Sequence, residues 1–296
     1  MLPALFLYAT LVKDVRSLIV VHDLAGAERA ARTYQAQSGA TPELAAALSW
    51  LARGALDARQ WEQAESYAAE TRELADQFLR TRKLDADPWL PTAVGAAIEV
   101  HAQALAARGE RPEALSFLRQ QLALLGATSL HERIRKNINL LNLEGKPAPA
   151  LETAEWLGSR PPAMAALRGR PVLLFFWAHW CGDCKAEVAI LANIQKAYGP
   201  RGLVIVAPTR LYGYVAKGED AAPDVEKKYI EQVRRRYYAP LGDVPVPLGA
   251  ANFLQYGSST TPTLVLVDSA GVVRYYHPGA VPEAELSARI QAALKK

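Results

Sequence analysis

Cysteine is almost missing from this chain, with two residues in 296. That count excludes a disulfide-stapled scaffold and cannot complete a four-ligand zinc site built from paired cysteines. Methionine is as scarce, at two residues, and histidine numbers five, so no Met- or His-rich set stands ready to extend a metal site. Charge of one sign is also lacking. The formal net charge is +4, too small and dispersed to argue for nucleic acid, although it suits mildly acidic partners. No apolar run approaches the roughly 20 residues that span a bilayer. The apolar opening from Met1 to Val12 is cut off by Lys13, Asp14 and Arg16. It has neither a positive leading region nor a small-residue cleavage site, so it does not read as a secretory signal. Val12, Val15, Leu18 and Ile19 instead fit one face of an amphipathic helix. A membrane tether would need a segment upstream of Met1.

What remains is an ordinary globular composition, 50% apolar and 22% charged, on a chain longer than one core usually organises. Its two halves differ. Residues 1–142 are rich in Ala, Leu, Gln, Glu and Arg with a 3.6-residue rhythm, which predicts an all-α domain. Residues 143–296 carry β-branched and aromatic runs punctuated by Gly and Pro, which predicts an α/β domain. The segment from Asn142 to Pro149 reads as the linker. Lys+Arg and Asp+Glu number 16 each in the first half and 18 and 14 in the second, so the net positive charge lies wholly on the second.

The first half shows faint self-similarity. Ala25–Ala30, Gln60–Ala64 and Glu110–Ala114 each resemble the turn and second-helix start of a tetratricopeptide repeat. Ala30 and Ala64 are 34 residues apart, the period of that repeat, whereas Ala64 and Ala114 are 50 apart. An insertion marked by Asp87-Pro88-Trp89-Leu90-Pro91 accounts for the excess, as a loop that restarts a helix. Leu48, Leu51, Ala52, Ala64 and Ala68, and then Ile98, Ala102, Ala114 and Leu118, supply the large-then-small packing residues. The consensus Tyr and Phe are mostly missing, and a generic array of helical hairpins reads almost as well. Either version is a scaffold whose concave face usually holds a peptide or protein partner.

The two cysteines stand together in Trp180-Cys181-Gly182-Asp183-Cys184-Lys185. The apolar run Val172–Ala178 leads into them, and a helix-compatible stretch to Tyr198 follows. A C-x-x-C at a strand-to-helix junction puts the first sulfur where unpaired helix N–H groups and the helix dipole favour an anion. The thiolate is the nucleophile in disulfide exchange, so this placement lowers the pKa of Cys181 and arms it. Cys184, one helical turn on, can resolve a mixed disulfide. Zinc finds no second ligand pair, and covalent haem would need His where Lys185 stands. The reading is a dithiol/disulfide couple with no other cofactor and no metal.

The stretch from Phe176 to Lys185 resembles the active site of the thioredoxin superfamily, and Thr260-Thr261-Pro262-Thr263, running into Leu264–Asp268, resembles its second signature. The resemblance implies that Pro262 is cis, that the Thr261 backbone pairs with substrate, and that Trp180 lies against it. Gly145-Lys146-Pro147-Ala148-Pro149 and Leu167-Arg168-Gly169 are similar to the opening steps of the extracytoplasmic TlpA/ResA-type oxidoreductases. Glu187 matches the helix glutamate which that branch places near its cysteines, and the implied role is proton management at Cys184. From spacing alone, Glu187 reads equally as a solvated first-turn carboxylate. The same branch implies a periplasmic or otherwise exported location, and a helix inserted within Leu211–Pro247. There, Val225, Tyr229, Val233 and Tyr237 are expected to form the apolar face, with Lys227, Lys228 and Arg234–Arg236 solvated. Leu211–Tyr214 with Gly218 is expected as a mobile loop beside the site.

There are departures from the pattern. Asp183 replaces a proline, Ala189 another, and Phe175 stands where cytoplasmic thioredoxins bury an aspartate. The Asp183 charge should oppose the Cys181 thiolate, which favours the disulfide and makes the dithiol a stronger reductant. His179 would push the other way if protonated; otherwise it is a solvent-facing residue at a strand end. The expected architecture is an all-α, tetratricopeptide-like array followed by a thioredoxin-like α/β fold. The expected function is thiol–disulfide exchange with a protein disulfide, fed by a thiol protein upstream. An adaptor with a vestigial redox module, and a copper-handling C-x-x-C protein, are the alternatives.

Overall fold

The computed structural model describes residues 10–294; the apolar opening before Thr10 lies outside the described residues. The chain divides into two compact units, Met1–Asn137 and Ile138–Lys296.

The first unit is helical. α1 (Leu11–Val20), α2 (Leu24–Ser38), α3 (Pro42–Asp57), α4 (Trp61–Leu79), α5 (Leu90–Ala107) and α6 (Arg111–Leu125) precede α7 (His131–Asn142). Side-chain caps start several of them: Thr10, Asp23 and Thr41 accept from the backbone N–H three residues on, satisfying donors the helix itself cannot. The three repeat-like fragments fall at the starts of α2, α4 and α6. α1 buries Leu11, Val15 and Ile19, the stripe expected of it shifted by one position at its start. All nine packing residues named above are buried. In the Asp87–Pro91 segment, Asp87 Oδ1 accepts from the N–H groups of Trp89 and Leu90 and so opens α5. Among the described residues no helix is long and apolar enough to cross a membrane.

The division between units falls inside α7 rather than in the Gly/Pro-rich segment that follows it. The last turns of that helix belong to the second unit's packing: Ile138 is buried, and the Asn139 amide donates to the carbonyl of Tyr256.

The second unit holds β1 (Trp156–Leu157), β2 (Val172–Phe176), α8 (Gly182–Tyr198), β3 (Val204–Val206), α9 (Pro223–Tyr237), β4 (Val246–Pro247), α10 (Ala250–Tyr256), β5 (Thr263–Val267), β6 (Val273–Pro278) and α11 (Glu283–Leu294). The main sheet has the order β3-β2-β5-β6, with β2 parallel to β3 and antiparallel to β5. β1 and β4 form a separate antiparallel pair. Alternate residues of the sheet feed two cores. Leu173, Phe175, Leu264 and Leu266 pack with residues of α8 and α11. Leu174, Phe176, Val265 and Val267 pack with Phe253 and Tyr256 of α10. β2 is therefore apolar at every position, as a strand covered on both faces must be. Register then sets up the site: Phe176, the last residue of β2, pairs with Thr263, the first of β5. The chain leaving one strand and the chain entering the other meet at the same edge of the sheet.

The face of α9 is only partly the expected one: Val233 is buried and Tyr229 packs against the core, but the rest is turned. Glu226, Ile230 and Val233 are buried, whereas Val225 and Tyr237 are exposed. The periodicity fitted either stripe. The tertiary packing chose the one that places a carboxylate inside.

Candidate active site

Cys181 and Cys184 form a disulfide with a Cα–Cα distance of 5.3 Å. Cys181 is the N-cap of α8, and the backbone N–H of Cys184 donates to its sulfur at 3.0 Å. This is the contact that stabilises a thiolate once the bond is reduced, since a helix N-terminus presents donors with no other partner. Cys181 Sγ also lies 3.4 Å from the carbonyl oxygen of Thr261, eighty positions along the chain. The Thr261–Pro262 peptide is cis. Cys181 is 4% exposed and Cys184 not at all, so the second sulfur is sealed from solvent.

The approach to the cysteines is rigidly held. The Trp177 N–H donates to the carbonyl of Pro208, and its indole N–H donates to that of Ala207 at 2.9 Å. The Thr209 hydroxyl donates to the Trp177 carbonyl at 2.8 Å. Trp180, next to Cys181, is half exposed, and the Tyr212 ring meets it edge-on at 5.6 Å. Asp183 is exposed in the first turn of α8. Phe175 is fully buried among apolar neighbours.

Glu187 is not a solvated carboxylate: it is 2% exposed and accepts one hydrogen bond, from the Val281 N–H at 3.2 Å. Burial pushes its pKa above the ordinary carboxylate range, and the Val281 hydrogen bond opposes this only in part. It lies three positions after Cys184, one turn along the same helix.

His179 overturns the solvent-facing expectation, being 1% exposed. The rings of Tyr212, Tyr214 and Tyr229 meet it edge-on at 5.3–5.6 Å. Its Nε2 lies 3.3 Å from Oε1 of Glu226. Burial pushes its pKa below the usual imidazole value, the Glu226 carboxylate opposing.

Glu226 is the residue that the sequence reading missed. Its carboxylate accepts from the Tyr212 N–H at 2.6 Å and the Gly213 N–H at 2.8 Å. The expected mobile loop is thus pinned at its first half. A further backbone hydrogen bond, from the Ala221 N–H to the Gly213 carbonyl, closes the segment. The signal lay in plain view: Glu226 shares a helix face with Ile230 and Val233 at i, i+4 and i+7. A carboxylate on an apolar stripe needs buried partners. Among the described residues no group of three or more Cys, His, Asp or Glu is arranged to hold a metal ion.

Comparison with known proteins agrees with this geometry. Residues 162–294 match the model of the thioredoxin-like domain. A thiol:disulfide interchange protein DsbE of Pseudomonas fluorescens is 30% identical over 152 residues, covering 50% of this chain and 76% of that protein. A DsbE of Xylella fastidiosa is 32% identical over 142 residues, covering 47% of this chain and 63% of the relative. A solved thioredoxin-family thiol:disulfide interchange protein of Chlorobium tepidum is 22% identical, with a TM-score of 0.36, over 51% of this chain and 97% of that one.

Proposed function

The chain belongs to the thioredoxin-like thiol–disulfide oxidoreductases, and on that premise we propose that it acts as a reductant of protein disulfides through Cys181 and Cys184. The observation that carries this direction is the acidic setting of the couple. Asp183 stands between the two sulfurs in sequence, and Glu187 is a buried carboxylate one turn on, with its pKa raised by burial. Negative charge near the sulfurs disfavours the thiolate, and what disfavours the thiolate favours the disulfide. A couple that prefers its own disulfide gives electrons away.

In the proposed cycle the Cys181 thiolate attacks one sulfur of the substrate disulfide. That S–S bond breaks, the departing sulfur leaves as a thiolate and takes up a proton, and a mixed disulfide to Cys181 remains. Cys184 then loses its proton to Glu187 and attacks Cys181 Sγ. The second substrate sulfur departs, and the two electrons end on the substrate as two thiols. A carboxylate whose pKa is raised by burial is a stronger base than an exposed one, which suits it to this step. An incoming polypeptide would lie along the Thr261 backbone at cis-Pro262, against Trp180, in strand fashion. An upstream thiol protein would return Cys181 and Cys184 to the dithiol. The helical unit, with its balanced charge and repeat-like rhythm, would recruit a peptide or protein partner. An exported, periplasmic location is proposed from the resemblance of the redox half.

Equilibration of the couple against glutathione and dithiothreitol tests the direction. A potential near that of thioredoxin or lower, with turnover of insulin disulfides, supports a reductant. A potential near that of strong oxidants such as DsbA overturns it. Tight Cu(I) binding without insulin turnover would favour copper handling instead.

A further inference from the structure

Glu226 is the most deeply buried carboxylate of the site, at 0% exposure. It faces two backbone N–H groups, of Tyr212 and Gly213, and the ring nitrogen of His179. Removing a carboxylate from water costs several kcal/mol unless its lone pairs are met. An apolar side chain here would simply continue the Ile230 and Val233 stripe of α9. What the carboxylate does, and a leucine could not, is hold two successive amides of an irregular segment in one place. The ring that this segment carries stands edge-on to Trp180 and to His179. Both belong to the four-residue approach to Cys181, and Trp180 is the large exposed aromatic beside that sulfur.

We infer that Glu226 is a positioning residue for polypeptide substrates: by holding Tyr212 and Gly213 it fixes the Tyr212 ring behind Trp180, and so sets a firm aromatic wall beside Cys181 for a cysteine-bearing peptide strand. The wall contributes contact area with little side-chain entropy to lose, because an aromatic side chain has few rotatable bonds and Tyr212 backs this one. Small thiols such as dithiothreitol reach Cys181 without touching it. The preference for a peptide over a small thiol is therefore the property that Glu226 controls. This inference rests on Cys181 as the exchanging sulfur, but not on the direction of electron flow.

The test follows the oxidised full-length chain as it exchanges with two thiols, a cysteine-containing decapeptide of otherwise apolar and neutral residues, and dithiothreitol. The ratio of the two second-order rate constants is the readout. Glu226→Gln keeps the shape but can accept only one of the two amides, and should lower the peptide-to-dithiothreitol ratio several-fold. Tyr212→Leu, which leaves the buried carboxylate in place, should lower it similarly and guards against a misfolded Glu226 variant. Glu231→Gln, on the same helix but paired with Arg234 and Arg235, should leave the ratio as it is. Amide hydrogen exchange at Tyr212 and Gly213 should quicken in Glu226→Gln. A wild-type chain with no preference for the peptide, or a Tyr212→Leu chain with an unchanged ratio, overturns the inference. So does a fall of both rates in equal proportion, which is a structural effect alone. Mass spectrometry of the peptide trapped on the chain tests the underlying assignment separately: if its mixed disulfide forms on Cys184 rather than Cys181, the exchanging sulfur is misassigned, whatever Glu226 does.

Discussion

The N–H of Cys184 points at the sulfur of Cys181 from 3.0 Å, while Cys184's own sulfur is sealed from solvent. Cys181 has the donor and what little exposure the pair has, and Cys184 has neither. In the reduced protein at neutral pH, Cys181 should therefore be alkylated at least tenfold faster than Cys184. Cys184→Ser should accumulate mixed disulfides with protein substrates, and Cys181→Ser should accumulate essentially none. Equal labelling rates by mass spectrometry would remove the assignment of nucleophile and resolver.

Asp183 is exposed, two positions after Cys181 and next to Cys184, in the first turn of α8. Asp183→Asn should lower the Cys181 pKa and move the couple toward a more oxidising potential. A nearby charge in a partly exposed site is worth on the order of one pKa unit, ~1.4 kcal/mol. Thiolate absorbance against pH checks this, and an unchanged or higher pKa would refute the electrostatic account.

Glu187 should behave oppositely in stability and in rate. Its folded-state pKa is raised by burial, so the protonated form is the one the fold prefers. Its stabilising contribution is complete below the unfolded-state pKa of about 4.3 and is lost as pH rises through the folded value. Glu187→Gln should accordingly melt a few degrees higher than wild type at pH 7.5, with the gain vanishing near pH 4. Resolution of the mixed disulfide should slow by roughly 10²-fold in the same variant, as for the loss of a positioned base. A variant no more stable at pH 7.5 would show that the carboxylate is better solvated than its surroundings imply.

In the helical unit the sign reverses. Burial of Glu99 opposes its ionisation, but Arg133 and Lys136, each 2.7 Å away, outweigh it and hold the pKa down to about 2. The resulting stability is present above the unfolded-state pKa and lost as pH falls from about 4.5 to about 2. The loss should amount to roughly 3 kcal/mol from this group. Glu99→Gln should be less stable than wild type at pH 7 by about 3–5 kcal/mol, because two cations are left without their carboxylate. It should then lose less between pH 5 and pH 3. Denaturant midpoints at the three pH values decide it, and parallel losses in the two proteins would assign the acid sensitivity elsewhere.

Local signals carried much of this protein. The C-x-x-C, the apolar run that enters it and the helical stretch that leaves it placed β2, the cysteines and α8 within a few residues, because capping, propensity and burial on both sheet faces act over short distances. The helical character of the first half was legible for the same reason. Other features depended on which parts of the chain come together. The pairing of Phe176 with Thr263 brings Cys181 to Thr261 across eighty residues, and nothing within either segment encodes that register by itself. The same holds for α9. Its expected apolar face ran through Val225 and Tyr237, and only packing turned Glu226 inward to meet Tyr212, Gly213 and His179. Glu187 and His179 could each be read as solvated, since a helix start and a strand end are commonly wet. Burial is a property of what covers a residue, and for both of them the cover came from segments distant in sequence: the Val281 backbone over one, the Tyr212–Tyr214 segment and α9 over the other.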